Sequence, residues 1–159
     1  MQRKYLGFSA IEIMVVMAIL VILAMIAIPS SLARIVKTQV AGTIPWADVA
    51  TEPIEQSWKV NKTMPPDNAA VGLPSPEKIV SNFVTSLTVK DGAIHMTLGN
   101  KVHPKIKDKV LTIRPAVVED SQVVPIAWVC GNASPPPPMV VKGENMTTVP
   151  DEYLPQSCR

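Results

Sequence analysis

The segment GFSAIEIMVVMAILVILAMIAIPSSLA, residues 7–33, decides the fold, and Glu12 is its only charged residue. As an α-helix, the part from Phe8 onward would be about 39 Å long, which is enough to cross a bilayer core of roughly 30 Å. A carboxylate within such a helix costs on the order of 3 kcal/mol in a membrane and is therefore interpreted as functional. The segment predicts a long apolar helix in which Glu12 has a specific partner.

This N-terminus resembles that of the type IV pilins. A short basic leader ends at Gly7, Phe8 follows, and Glu12 is the fifth residue counted from Phe8. The resemblance implies that a prepilin peptidase cuts between Gly7 and Phe8 and methylates the new amino group of Phe8. It further implies that Glu12 neutralises the N-terminal amine of a neighbouring subunit during assembly. Ser9 and Ala10 stand where the family usually has threonine and leucine.

Two other interpretations of this segment stay open. Arg3 and Lys4 before an apolar run, with Ala33 after it, could mark a secretory signal peptide cut after Ala33. The apolar run is longer than the usual 7 to 15 residues of such peptides, and Glu12 lies directly against it. Alternatively, the segment could be a simple membrane anchor in which Glu12 lies near the lipid headgroups.

Length and charge limit the functional classes. At 159 residues the chain has room for one such helix and one domain of roughly 100 residues. Without residues 1–7, which contain Arg3 and Lys4, the chain has 13 basic and 13 acidic side chains, so net charge predicts no nucleic-acid partner. We find no phosphate-binding glycine loop and no metal-ligand cluster. His95 and His103 have no nucleophile motif nearby and are expected at the surface. We therefore expect neither an enzyme nor a cofactor or metal.

Cys130 and Cys158 are the two cysteines of the chain. A chain exported by its first helix reaches an oxidising compartment, where such a pair forms a disulfide. Free thiols and a metal site are the alternatives, although two sulfurs fall short of four zinc ligands. The resemblance to pilins favours the disulfide, because many members of that family close a C-terminal loop in this way.

The helix is expected to change character along its length. Pro29 removes a backbone hydrogen bond and predicts a kink. Residues 34–60 keep an apolar stripe beside polar residues and are interpreted as an amphipathic continuation. A break is predicted between Gly42 and Pro45, with Thr43 capping the new start. The core candidates of this part are Trp46, Val49, Ile54 and Trp58.

Residues 61–78 are rich in Pro, Asn, Asp and Gly and predict a long loop. Alternating apolar residues on both sides of Asp91-Gly92 then predict a β-hairpin, with Phe83, Leu87 and Val89 on the buried face of its first strand. Its second strand would bury Ile94, Met96 and Leu98. Two further strands are predicted at 110–114, with Thr112 and Arg114 facing outward, and at 126–130. The inward residues of these two strands would be Leu111, Ile113, Ile126 and Trp128.

A row of basic residues occupies alternate positions from 101 to 109. In an extended chain these side chains would lie on one face about 6.6 Å apart and could contact a polyanion such as DNA. The alternative is a solvated edge or turn, where lysines prevent strand-to-strand aggregation. The members of this basic row are Lys101, His103, Lys105, Lys107 and Lys109.

The predicted fold class is α+β, the fold of pilins. A long N-terminal helix, with its apolar half protruding, would pack on a four-stranded antiparallel sheet, and a disulfide would close the C-terminal loop. The expected divisions are a cleaved leader (1–7), a transmembrane and filament-core helix (8–33), the amphipathic continuation (34–60) and a globular head (61–159).

The predicted function is that of a structural subunit of a type IV pilus supporting adhesion, twitching motility or DNA uptake. Its expected partners are other pilin subunits, the prepilin peptidase and the inner-membrane assembly machinery. The precursor would reside in the inner membrane of a Gram-negative bacterium and the product in the extracellular pilus. The alternatives are a pseudopilin of type II secretion and a minor pilin that binds DNA through the basic row.

Overall fold

A computed structural model of the protein describes residues 7–159, apart from the side chains of residues 27–30. The predicted leader, up to residue 6, and the predicted kink at Pro29 lie outside this description. The chain forms two compact units, one that ends at Ile35 and one that spans Val36–Arg159. The predicted α+β class is confirmed, since a long N-terminal helix is followed by an antiparallel sheet.

The helical part divides where the sequence predicted. Helix α1 spans Ala10–Ala41, a 3-10 turn follows at Ile44–Ala47, and helix α2 spans Asp48–Asn61. Thr43 does not cap the new start through its side chain. Its buried hydroxyl instead donates to the carbonyl oxygen of Val40 at 2.7 Å. The same carbonyl also accepts the backbone N–H of Thr43 at 3.0 Å, so Thr43 makes two hydrogen bonds to the end of α1.

Helix α2 buries Ala50, Ile54 and Trp58, which recur every four residues along one face. The prediction that Trp46 and Val49 belong to the core is wrong, because both side chains are exposed. Val49 lies about 100° from Ala50 around the helix axis, so it cannot share the buried face.

Trp58 fixes where α2 meets the sheet. It packs in one cluster with Val117 and Ile126, against which Trp128 is partly buried. The indole N–H of Trp128 donates to Oε1 of Glu55 at 3.1 Å, so its polar atom is paired as it approaches the helix. The predicted inward orientation of Ile126 and Trp128 agrees with this packing.

The sheet has one more strand than predicted. Strands β1 (Val84–Lys90), β2 (Ala93–Leu98), β3 (Val110–Val117) and β4 (Ala127–Cys130) lie side by side in chain order, and each neighbouring pair is antiparallel. The predicted hairpin at Asp91-Gly92 is confirmed. The added strand, β5 (Val140–Val141), pairs with the end of β3. With two residues shortly after a run of prolines, β5 is too short to show a periodic sequence pattern.

The start of β1 differs from its predicted pattern. Val84 is buried, whereas Phe83 is only half-buried. The register passes from Val84 opposite Leu98 to Ser86 opposite Thr97, so Thr85 is an extra residue in the ladder. Such a β-bulge shifts by one residue which side chains of the strand face the core. A prediction from strict alternation therefore places Phe83, rather than Val84, on the buried face.

The outward face of β2 and β3 is also covered. His95 and Thr112, both expected at the surface, are buried. The backbone N–H of Met146 donates to Oγ1 of Thr112 at 3.1 Å, and the N–H of Thr112 donates to Oγ1 of Thr147 at 3.1 Å. The C-terminal segment thus lies against this part of the sheet and excludes water from side chains that alternation alone would place outside.

The predicted loop at 61–78 contains two short 3-10 turns, Ala69–Val71 and Pro76–Lys78. Asn68 within it is buried and is hydrogen-bonded to the edge of β1. Its Oδ1 accepts from the N–H of Val89 at 2.6 Å, and its Nδ2 donates to the carbonyl of Leu87 at 3.0 Å. The side-chain amide therefore replaces a neighbouring strand at this edge.

Candidate assembly site

The start of α1 is a reciprocal cap made by two side chains. Oε2 of Glu12 accepts a hydrogen bond from the backbone N–H of Ser9 at 2.7 Å. Oγ of Ser9 accepts from the N–H of Glu12 at 3.4 Å. This arrangement is a capping box, in which the side chains of two residues three apart each accept the other's backbone N–H. The N–H of Glu12 also donates to the carbonyl of Ser9 at 3.1 Å. The pattern Ser-x-x-Glu at 9–12 predicts the capping box, although the sequence analysis treated Ser9 only as a departure from the usual threonine.

The cap leaves Glu12 free to bind a cation. A carboxylate offers about four acceptor positions on two oxygens, and the bond from Ser9 uses one of them. The Glu12 side chain is exposed. The negative charge is also favourable at a helix N-terminus because of the helix dipole. Glu12 is therefore held in place and still able to accept an ion pair from another chain.

The surface around Glu12 is almost entirely apolar. Large apolar side chains from Ile11 to Ile26 are exposed on every side of the helix. Among the described residues, α1 is the helix that is long and apolar enough to cross a membrane. Contiguous exposed apolar surface of this extent marks a site covered by lipid or by other protein chains. An ion pair formed there would be shielded from water once the surface is covered.

Gly7 and Phe8 precede the helix and are exposed. A methyl group placed on Gly7 would have no neighbour within 4 Å, and the side chain of Phe8 is 82% exposed. The bond between them lies outside regular secondary structure. Cleavage and methylation at this position stay predictions.

At the other end of the chain, Cys130 and Cys158 form a disulfide between β4 and the C-terminus. The N–H of Asn132 donates to the carbonyl of Cys158 at 2.9 Å. A methyl group on Gly131 would come within 2.6 Å of that same oxygen, and Gly131 has a φ of +56°. The predicted closure of the C-terminal loop is confirmed, and it depends on a glycine beside the disulfide.

The basic row from 101 to 109 is not extended. Pro104–Ile106 form a 3-10 turn, and Asp108 has a φ of 59°. Nδ1 of His103 accepts from the backbone N–H of Lys105 at 3.3 Å. The backbone N–H of His103 donates to Oε1 of Gln39 at 2.8 Å. Alternate side chains therefore do not share one face, so the regular spacing on which the polyanion hypothesis depended is not formed. Binding of a polyanion stays a prediction.

One lysine of this turn already has an aromatic partner. Nζ of Lys105 lies 5.6 Å from the centre of the Tyr153 ring. The neighbouring Tyr153 side chain raises the pKa of Lys105. Lys101 and Lys107 are exposed and make no ion pair within the part of the chain that the structure describes.

Comparison with known proteins agrees with this architecture. The sequence profile of the Pilin family, described as a bacterial filament protein, matches residues 36–159. The chain is 28% identical to a fimbrial protein of Neisseria meningitidis serogroup A, with 96% of this chain and 93% of the relative covered. It is 26% identical to the type IV major pilin protein PilE of Neisseria gonorrhoeae, with the same coverage. The fimbrial protein EcpC of Eikenella corrodens is 26% identical, with 96% and 90% covered.

Proposed function

The chain belongs to the pilin family and is a structural subunit of a type IV pilus, not an enzyme, and on that premise we propose how it is stored, processed and assembled. The apolar part of α1 holds the precursor in the inner membrane of a Gram-negative bacterium. A prepilin peptidase cuts between Gly7 and Phe8 and methylates Phe8. The inner-membrane assembly machinery then moves the subunit into the extracellular filament, where Glu12 pairs with the Phe8 amine of a neighbouring subunit.

One observation carries this proposal. Glu12 is the single charged residue of segment 7–33, and the large apolar side chains of this segment from Ile11 to Ile26 are exposed. Burying that carboxylate unpaired is costly, whereas a pair with an amine from another chain offsets the cost and defines how the two helices align. A signal peptide or a simple anchor has no need of such a group.

The capping box gives Glu12 a second role, which the test must separate from the first. Glu12→Gln keeps an oxygen that can accept from the N–H of Ser9 but removes the charge. Ser9→Ala keeps the charge and removes one of the two bonds of the cap, at a cost of about 1 kcal/mol. Glu12→Ala removes both the charge and the acceptor.

The experiment expresses each variant as the only copy of the chain and counts filaments outside the cell. We expect Glu12→Ala and Glu12→Gln to accumulate in the inner membrane, cleaved after Gly7, with few or no filaments. We expect Ser9→Ala to retain most filaments, because its charge is intact. Normal filament numbers from Glu12→Gln would show that the charge has no role in assembly.

Processing is tested independently by mass spectrometry of the mature protein. We expect an N-terminus at methylated Phe8. An N-terminus at Arg34 would instead support a signal peptide cut after Ala33. An uncut chain carrying residues 1–7 would support the simple membrane anchor.

We further propose that the filament serves adhesion, twitching motility or DNA uptake. A strain lacking the gene, and the same strain with the gene restored, would be scored for each activity. No observation favours the pseudopilin of type II secretion or the DNA-binding minor pilin over this assignment. The basic row in particular is folded into a turn.

A further inference from the structure

Two exposed patches on the Val36–Arg159 unit are complementary in charge. The first, here called the α2 patch, combines the exposed apolar side chains of Trp46 and Val49 with the exposed carboxylates of Asp48 and Glu52. The second, the basic turn, presents Lys101 and Lys107 beside the 3-10 turn Pro104–Ile106. Within the described residues, neither the two carboxylates nor the two lysines form an ion pair.

The α2 patch is unusual for a helix face that remains in water. Trp46, in the 3-10 turn before α2, is 40% exposed, and Val49, in the first turn of α2, is 44% exposed. Asp48 stabilises the first turn of α2 through the helix dipole, and Oε1 of Glu52 accepts from Nε2 of Gln56 at 3.4 Å. Neither interaction accounts for the exposure of Trp46 and Val49. Tryptophan is among the residues most enriched at protein interfaces, especially where polar groups surround it.

The symmetry of a filament excludes contact of this patch with the same patch on another copy. An open filament requires contacts between two different surfaces of the same chain, because a contact between identical surfaces closes into a dimer. The basic turn differs from the α2 patch and has the opposite charge. We infer that, in the assembled filament, the α2 patch of one subunit docks on the basic turn of a second copy of this chain, with Lys101 and Lys107 facing Asp48 and Glu52.

This inference rests on the proposed assembly into a filament. Two apolar side chains and a few charges bury much less than the 1,200 Å² or more of a stable interface. The contact therefore forms only where subunits are already held together along their apolar helices, at high effective concentration. Lys105 has no part in it, because its ammonium lies over the ring of Tyr153.

Charge reversal tests the contact in the full chain, expressed as the only copy. We expect Asp48→Lys with Glu52→Lys, and separately Lys101→Glu with Lys107→Glu, each to reduce filament yield at least tenfold. Combining all four changes should restore the yield to within twofold of the unaltered chain, which a merely misfolded protein would not do. Lys78→Glu, an exposed lysine outside both patches, is the matched control and should leave the yield unchanged.

Cross-linking tests the geometry directly. Chains with Val49→Cys and chains with Lys107→Cys are expressed together, and the filaments are oxidised and digested. We expect mass spectrometry to find peptides from positions 49 and 107 joined by a disulfide. Chains that carry Val80→Cys, at another exposed valine, in place of Val49→Cys should not form a cross-link to position 107.

Several outcomes would overturn the inference. Normal filaments from both reversed pairs, or filaments without the 49–107 link, would exclude this contact and leave the proposed function intact. Normal filament yield combined with lost DNA binding in the Lys101→Glu, Lys107→Glu chain would assign the basic turn to a polyanion instead. Absence of filaments from the unaltered chain would refute the proposed function and this inference with it.

Discussion

Nδ1 of His95 lies 3.0 Å from Oγ1 of Thr112, in a buried position between strands β2 and β3. The same oxygen accepts the N–H of Met146. Nε2 of His95 is buried without a hydrogen-bond partner among the described residues. The Thr112 hydroxyl therefore joins His95 to the segment that covers the sheet, and the buried surroundings of the imidazole favour its neutral form.

This arrangement predicts a loss of stability in mild acid. Burial, and secondarily the charge of Lys90, lower the pKa of His95, while Glu144 acts in the opposite direction. The histidine is neutral in the folded state. Its contribution to the free energy of unfolding is therefore complete above pH 6.5, the ordinary pKa of histidine, and is lost as the pH falls from there toward the lowered pKa of the folded state. Denaturant unfolding followed by tryptophan fluorescence at pH 7 and pH 5 measures the difference. In the His95→Asn chain we expect a smaller difference in free energy of unfolding between the two pH values. A difference as large as that of the unaltered chain would contradict this account.

Removal of the disulfide should be costly. Cys130 and Cys158 are 28 residues apart, and closing a loop of that length stabilises a fold by about 3–4 kcal/mol on the chain-entropy estimate. We expect the chain with both cysteines changed to serine to lose about that much free energy of unfolding, which denaturant titration measures. Changing both avoids leaving a reactive thiol. A loss below about 1 kcal/mol would mean that the surrounding hydrogen bonds hold the C-terminus without the cross-link.

Asn68→Ala should destabilise the edge of β1. The amide bonds the N–H of Val89 and the carbonyls of Leu87 and Pro74, and all of these bonds would be lost. Leaving buried backbone groups unpaired costs about 1–3 kcal/mol each, so we expect a loss of about 2–4 kcal/mol in denaturant unfolding. Asn61→Ala, at an exposed asparagine, is the control and should change stability by less than about 0.5 kcal/mol. Equal effects would show that the loop is not anchored through Asn68.

Gly131 and Gly72 form a matched pair for separating backbone strain from steric contact. Both have positive φ. A methyl group at Gly131 would come within 2.6 Å of the carbonyl oxygen of Cys158, whereas a methyl group at Gly72 would have no neighbour within 4 Å. We expect Gly72→Ala to cost about 1–2 kcal/mol for the left-handed backbone alone. Gly131→Ala should cost about 1–3 kcal/mol more, because the C-terminal backbone must move. Similar losses of stability for the two variants, measured by thermal or denaturant unfolding, would mean that the backbone at Cys158 can shift away from the added methyl group at little cost.

The sequence alone determined those features that depend on local pattern. The apolar run, its single carboxylate and the glycine before Phe8 indicated the long helix and the family. Asp91-Gly92 between alternating residues indicated the hairpin, and the break after α1 followed from Gly42 and Pro45. Such signals are local, since helix period, strand alternation and turn chemistry are set by neighbours in the chain.

Tertiary structure decided what no neighbour along the chain can specify. His95 and Thr112 alternate as surface residues would, and they are buried because the segment around Met146 covers them. Val49 was predicted to be a core residue and is exposed, because Ala50, Ile54 and Trp58 define the buried face of α2. Burial depends on which distant segment packs over a residue, and hydrophobic character alone does not carry that information.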